Sequence, residues 1–425
     1  MQKLYSLLLC IIMCSFSFSH IKAQCSNGRY YNSIFSSSTS TVTYGNAVLY
    51  NGVDTNLKVD IYQPSGDSAL TRPLLIFAFG GSFTAGLRQS PDLVQICTYF
   101  SQRGYVCASI DYRLGYYGSG TDTNLFTAMV RGIQDMKGAV RYFYKDASTV
   151  NQFRIDTNQI FIGGVSAGAF IALNYAYWNF SFFSKPPPGF VIPVLDSVGG
   201  LDGNSGNPGY SQNIKGVIDL CGGLADTIWL TSGNTVPLLV GVHGTADGTV
   251  ACSYDSAYSV INPKSMLFGG CDIKERLSHI NTPDSIYLFQ GADHCPFILP
   301  ANNTLPGLLA TTYYMDTTEW IIRDFLVKHV TCPEIESGIN ELQNNISVSV
   351  YPNPSQDAMF VNSQYDKDLT TTVVSIDGRI VQQYLLNTNQ TIAIQKQDLG
   401  AGVYLLQFSE KNSNRVLRTD KIIFY

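Results

Sequence analysis

The stretch Gln159-Ile160-Phe161-Ile162-Gly163-Gly164-Val165-Ser166-Ala167-Gly168 runs directly into Ala169-Phe170-Ile171-Ala172-Leu173-Asn174. An apolar run, a G-x-S-x-G pentapeptide and a second apolar run read as strand, forced turn and helix. Glycines two before and two after the serine carry no Cβ, so the chain can reverse sharply and hold Ser166 strained and exposed at a helix N-terminus. The pentapeptide alone is weak, because a glycine-rich strand end can carry the same letters. Its meaning depends on what the rest of the chain supplies.

Upstream, Tyr44 to Pro64 alternates in strand fashion, most clearly over Leu57-Lys58-Val59-Asp60-Ile61-Tyr62, and predicts opening antiparallel strands. Pro73 to Phe79 is a continuous apolar run, suited to a strand buried on both faces. It ends in Gly80-Gly81-Ser82-Phe83, where glycines free two backbone N–H groups to point at a ligand, as stabilising an oxyanion requires. An ordinary strand-ending turn is the competing reading. A helix around Pro91 to Gln102 leads to a buried strand at Tyr105 to Ile110, closed by Asp111-Tyr112-Arg113-Leu114. An amphipathic helix follows over about Thr127 to Lys145, with Met129, Ile133, Met136, Val140 and Tyr144 on one stripe.

Downstream, residues 178–213 break the pattern with Phe180, Phe182, Phe183, the run Pro186 to Pro188 and a glycine-asparagine stretch from Gly199 to Gly209. Their place after the nucleophile helix predicts a lid-like insertion, with a packed surface loop as the alternative. Strands resume at Gly216 to Leu220, Pro237 to His243 and Ser285 to Gln290, and a helix over about Thr317 to Lys328 closes the domain. Strands alternating with helices predict an α/β fold, a mostly parallel sheet flanked by helices. A polar linker is expected at 333–345. From 346 to 425, short strands separated by turn residues predict a small all-β sandwich.

The amino end reads Met1-Gln2-Lys3, an apolar run from Leu7 to Met13, then Ile21-Lys22-Ala23-Gln24: an export signal over residues 1–23, cleaved after Ala23. Acylation of Cys25 competes with that reading, but Gln24 is bulkier than the small residue that normally precedes a lipidated cysteine. Loss of Lys3 and Lys22 reduces 27 basic residues to 25 against 32 acidic, a net charge of −7. With no basic patch visible, a nucleic-acid partner is not expected. Cys10 and Cys14 leave with the signal, so eight of the ten cysteines remain, an even number in an oxidising compartment. Cys252 with Cys271 is the first pairing expected and Cys295 with Cys332 the second; Cys107, in an apolar strand, reads as a buried thiol. No C-x-x-C pair or paired histidines call for a metal, and no cofactor is implied.

An activated serine needs a base within hydrogen-bond reach and a group orienting that base. Four histidines remain after export: His243, His279, His294 and His329. His294 follows the last strand, at the sheet edge expected for Ser166, and is the candidate base. His243 closes a strand and is expected to pack beside the acid loop; His329 ends a helix and His279 lies in an excursion. Asp247, just past the strand ending at His243, is the candidate acid, with Asp219 its rival and Asp293 a weaker third. The order Ser166, Asp247, His294 suits a hydrolase on this scaffold.

Phe79-Gly80-Gly81-Ser82-Phe83, Asp111-Tyr112-Arg113-Leu114, Gly164 to Gly168, His243-Gly244-Thr245-Ala246-Asp247 and Asp293-His294 together resemble the α/β-hydrolase superfamily, in its carboxylesterase and lipase branch with a His-Gly-Gly type oxyanion motif. The likeness covers about Tyr44 to Lys328. It implies carboxylic ester hydrolysis through an acyl-enzyme, with backbone N–H groups of Gly81 and Ala167, supported by Gly80, as the oxyanion hole. Phe79 departs from the motif by standing where a histidine is usual, so whatever buttresses that loop must come from elsewhere. Tyr351-Pro352-Asn353-Pro354, Asp377-Gly378, Gly402-Val403-Tyr404 and Lys421-Ile422-Ile423 resemble the sorting domain of the Bacteroidetes type IX secretion system. That implies passage over the outer membrane with the secretion machinery as partner, and usually removal of the tail; a carbohydrate-binding or spacer module is the alternative. The hydrolase resemblance implies an ester, small or polymer-borne, as substrate. Two further readings are a binding protein that keeps the fold without the chemistry and a peptidase on the same scaffold.

Overall fold

The structure, a computed structural model, describes residue 25 and residues 28–116, 122–179, 189, 191–232, 237–256, 266–282, 285–298, 305–333, 346–411 and 416–425. The expected signal segment 1–23, most of the expected linker and the aromatic and proline part of the 178–213 insertion lie outside them. Two compact units emerge, Met1–Glu334 and Ile335–Tyr425.

In the first unit, β1 (Ser36–Val48) and β2 (Asp54–Ser65) form the antiparallel opening, β1 beginning eight residues before the alternation at Tyr44 becomes legible. Then come β3 (Arg72–Ala78), α1 (Pro91–Ser101), β4 (Val106–Ile110), α2 (Asp122–Ser148), β5 (Ile155–Val165), α3 (Ala167–Tyr177), α4 (Val191–Val198), β6 (Gly216–Leu220) and β7 (Leu238–Gly244). A two-residue ribbon, β8 (Asp255–Ser256) with β9 (Met266–Leu267), precedes α5 (Gly270–His279), β10 (Ile286–Phe289) and α6 (Leu305–His329). Among the described residues the main sheet has eight strands in the order β1-β2-β4-β3-β5-β6-β7-β10. It is parallel from β4 to β10. This is the α/β-hydrolase fold expected from the sequence.

Every residue of β3 is buried, as is every residue of β4 and β6. Side chains on both faces of a central parallel strand are covered by helices, which is why these runs are mostly apolar instead of alternating, with Arg72, Ser109 and Asp219 the buried polar exceptions. The register sets Ala78 beside Gly164, Val165 beside Leu220, Leu220 beside Val242 and Gly244 beside Phe289. The carboxyl ends of β3, β5, β6, β7 and β10 therefore share one edge, and the loops leaving them share one side of the sheet.

Both long helices outrun their sequence pattern: α2 extends at each end beyond Thr127–Lys145, and α6 starts twelve residues before Thr317. Periodicity marks the face that packs on the sheet, not the end of the hydrogen-bonded spiral. Residues after α4 are clamped onto α2. Gln134 Nε2 donates to the carbonyls of Val198 (2.8 Å) and Gly200 (2.6 Å), and Arg141 Nε to that of Gly206 (2.9 Å). Arg113, in the loop after β4, pairs with buried Asp135 at 2.8 Å, and its guanidinium also reaches Ser205 Oγ at 3.2 Å.

Among the described residues there are two disulfides. Cys252–Cys271 matches the first expectation. The second does not: Cys332 bonds Cys25, and Cys295 is a buried free thiol. The chain ends of this unit meet in space across 307 residues of sequence, a proximity that only the closed fold creates. Cys107 is a buried thiol as expected, its pKa driven far up by burial.

In the second unit, β11 (Val348–Tyr351), β12 (Ala358–Ser363), β13 (Leu369–Ser375), β14 (Ile380–Leu386), β15 (Thr391–Gln395), the one-turn α7 (Lys396–Leu399), β16 (Gly402–Glu410) and β17 (Val416–Phe424) build two antiparallel sheets, β11-β12-β15 and β14-β13-β16-β17. Met359, Val361 and Ile394 of one sheet and Leu369, Val373, Leu406, Phe408 and Ile422 of the other form a shared core. Inward apolar residues at every second position are what make the sandwich readable from sequence.

Candidate active site

Ser166 is the hinge between β5 and α3, at φ 51° and ψ −115°. A β-carbon does not sit easily at positive φ, so the surroundings must hold it there. They do so through close backbone approach: a Cβ on Gly168 would stand 2.0 Å from the Ala78 carbonyl oxygen, and one on Gly164 2.3 Å from the Gly168 backbone. The Ser166 N–H donates to Leu220 O at 2.8 Å. The two flanking glycines let the first turn of α3 press against the end of β3; Ser166 itself is strained as expected but buried, not exposed, because the loops around the turn close over it.

His294 follows β10 and brings its two ring nitrogens to two partners. Nε2 lies 2.9 Å from Ser166 Oγ and Nδ1 lies 2.7 Å from Asp247 Oδ2. Asp247 has both oxygens occupied, because Oδ1 accepts the N–H groups of Thr249 and Val250, each at 2.8 Å. Burial alone would push this carboxyl up, but hydrogen bonds from His243 and His294 and from the loop backbone hold it well below the usual carboxylate range.

The rival acids have other places. Asp219, at the end of β6, accepts one backbone N–H from Gly222 at 2.8 Å, and its Oδ2 has no hydrogen-bond partner among the described residues. Burial pushes it up to about 6. Asp293 joins the two loops: its Oδ1 accepts from Gly248 N at 2.9 Å and from His294 N at 2.7 Å. Sequence reasoning weighed Asp293 only as a weak acid and missed this stapling role. It also had no signal for Cys295, whose Sγ sits 3.5 Å from His294 Nε2 and whose thiol bonds that of Cys221. His243 lies beside the acid loop and His329 ends α6, as expected, whereas His279, expected in an irregular excursion, ends the helix α5.

Gly80 lies against the serine, since a Cβ there would come within 3.3 Å of Ser166 Cβ. Gly81 follows at φ +120°, and its carbonyl accepts from Thr84 N (3.0 Å) and Ala85 N (3.2 Å), turning the loop back on itself. Ala167 is the first residue of α3, where a helix N–H has no intrahelical acceptor. The missing motif histidine is answered by Tyr112. Its ring stacks on Phe79 at a centroid distance of 4.3 Å and its hydroxyl donates to Phe79 O at 3.1 Å. Gly86 completes the support, because a Cβ there would strike the Phe79 ring at 2.3 Å.

Sheet order and serine turn are those of the α/β-hydrolase fold. Residues 59–235 match the family model described as BD-FAE, and residues 349–424 match the secretion system C-terminal sorting domain. The likeness of the second unit to that sorting domain supports secretion and export to the cell surface. No curated protein matches the chain. Similar solved structures include apo Thermogutta terrifontis esterase 2, at 20% identity and a TM-score of 0.48 over 70% of this chain and 97% of that one. The same esterase phosphorylated by paraoxon has 20% identity and a TM-score of 0.47, over 68% of this chain and 94% of the other. Its propionate-bound form has 19% identity and a TM-score of 0.46 over the same shares.

Proposed function

We propose that the protein is an exported serine hydrolase that cleaves carboxylic esters through Ser166, His294 and Asp247. The observation that carries this reading is the continuous pair of hydrogen bonds from Ser166 Oγ to His294 Nε2 (2.9 Å) and from His294 Nδ1 to Asp247 Oδ2 (2.7 Å). Ser166 Oγ attacks the ester carbonyl as His294 Nε2 takes its proton, and the ionised Asp247 holds and stabilises the imidazolium. The N–H groups of Gly81 and Ala167, with Gly80 in support, receive the developing oxyanion; losing one such donor costs about 3 kcal/mol in the transition state. His294 then protonates the departing alcohol, and it later activates the water that frees the acid and restores Ser166.

The clamping of residues 198–207 onto α2 favours a packed surface loop over a free lid for this half of the insertion. A domain layout of signal, hydrolase unit, linker and sorting unit fits a protein whose substrate lies outside the cell. Ester over amide is favoured by the match of residues 59–235 to an esterase-type family.

The test is Ser166→Ala against p-nitrophenyl esters graded by acyl length. Turnover of the acetyl ester falls at least about a thousandfold and fluorophosphonate labelling disappears. Full turnover in that variant overturns the proposal, and faster cleavage of matched amides than of esters moves it to a peptidase.

A further inference from the structure

Asp247 Oδ2 is approached by two histidines, and only one of them faces the serine. His294 Nδ1 is 2.7 Å away; His243 Nε2 is 3.3 Å away. His243 has no solvent exposure, and its Nε2 also lies 2.8 Å from Val250 O. On its far side the Gly270 N–H, at the start of α5, donates to Nδ1 at 3.3 Å. The contact is tight, since a Cβ on Gly270 would stand 2.5 Å from His243 Cβ. The neighbouring residue, Cys271, is bonded to Cys252, and Cys271 N donates to Cys252 O at 2.8 Å. Val250 and Cys252 belong to the same loop as Asp247. The contacts therefore close a ring that runs from the acid to His243, to the helix start, through the disulfide and back to the acid loop.

The ring's protonation follows from these partners. Burial resists a charge on His243, but Asp247, Cys221 and Asp219, which face it from the acid loop and the end of β6, together with the Val250 carbonyl, outweigh burial and raise its pKa to about 9. The Gly270 N–H is aimed at Nδ1, so the proton that faces Val250 O and Asp247 is the one on Nε2.

We propose that His243 is a positioning residue: its Nε2–H, held by Gly270 and by the Cys252–Cys271 disulfide, aims the Asp247 carboxylate at His294. A carboxylate tethered only by Thr249 and Val250 at Oδ1 can still swing its other oxygen. The donor on Oδ2 removes that freedom while leaving the oxygen a lone pair for His294. The inference rests on the esterase reading and adds to it a support beyond the three catalytic side chains.

The experiment uses the mature full-length chain. In His243→Phe, which keeps the ring but removes the donor, kcat falls on the order of 10- to 100-fold with KM little changed, since a displaced acid costs orientation and not substrate binding. The acid limb of the kcat/KM profile moves to lower pH, because a loosely held carboxylate stabilises the imidazolium less. His243→Gln, whose amide N–H reaches the same point, restores kcat to within about threefold and returns the limb to its place. Replacing both Cys252 and Cys271 by serine moves rate and limb in the same direction as His243→Phe. A wild-type rate and profile in His243→Phe overturns the proposal, and so does a glutamine variant as impaired as phenylalanine. A wild-type profile in the double serine variant overturns the part assigned to the disulfide. Should His243→Phe fail to fold, the contrast of His243→Gln with the shorter His243→Asn carries the test, and equal impairment of the two overturns the proposal. A wild-type chain that fluorophosphonate does not label at Ser166 overturns the esterase reading itself; equal labelling rates in wild type and His243→Phe overturn only this inference.

Discussion

Tyr112 shows how a single side chain can replace a motif residue by a different physical route. A histidine in the oxyanion loop would brace it with polar contacts; here the loop is braced by ring stacking on Phe79 and one hydrogen bond to its carbonyl. The two parts are separable. Tyr112→Phe keeps the stack and loses the hydrogen bond, worth about 1 kcal/mol, so kcat on p-nitrophenyl acetate drops about fivefold with KM nearly constant. Tyr112→Ala loses both and falls further. Equal kcat in wild type and Tyr112→Phe would place the bracing entirely in the stack. The departure at Phe79 was visible in the sequence, but its compensation was not. Phe79 and Tyr112 are brought together by the pairing of β3 with β4, and nothing local to either residue announces that.

At the scale of elements, α1 and α6 share a buried carboxyl. Glu319 on α6 accepts from Gln95 Nε2 on α1 at 3.2 Å and is almost fully buried. Burial pushes its pKa up to about 8 from an ordinary 4.5, with Asp316 adding to the rise and Gln95 and Arg103 opposing it. A carboxyl raised in the folded state stabilises the fold most when it is protonated in both states, below about 4.5, and that contribution is lost as pH climbs through 8. Glu319→Gln has no charge to lose. Its melting temperature matches wild type near pH 4.5 and exceeds it by about 5 °C near pH 8.5, followed by thermal melts across that range. A constant difference at all pH values would rule out titration of Glu319 as the cause. The elements themselves were legible wherever apolar runs or stripes are strong, as in β3, β5 and α2. Their ends were not, because an apolar stripe marks the face that packs on the sheet and not the last hydrogen-bonded turn.

On the scale of the whole molecule, the Cys25–Cys332 disulfide ties the two ends of the hydrolase unit together. Closing so long a loop restricts the unfolded chain more than the folded one, an effect of about 4 kcal/mol. Replacing both cysteines by serine lowers the temperature of half-inactivation by roughly 10 °C while leaving kcat/KM at 25 °C unchanged. A drop in kcat/KM at 25 °C would show that the tie reaches the active site.

The sequence by itself determined the parallel sheet, the serine turn and the β-sandwich that follows, and it ranked His294 and Asp247 first among the candidates to stand with Ser166. Each of these is written in local pattern: strand-ending glycines, period-two or continuous apolarity, and a polar residue one loop beyond a buried strand. Tertiary structure alone decided the partner of Cys332, the brace on Phe79, the stapling by Asp293 and the second histidine on Asp247. Those depend on which distant segments the closed sheet sets side by side, and contacts between residues far apart in sequence leave no periodic trace in either segment.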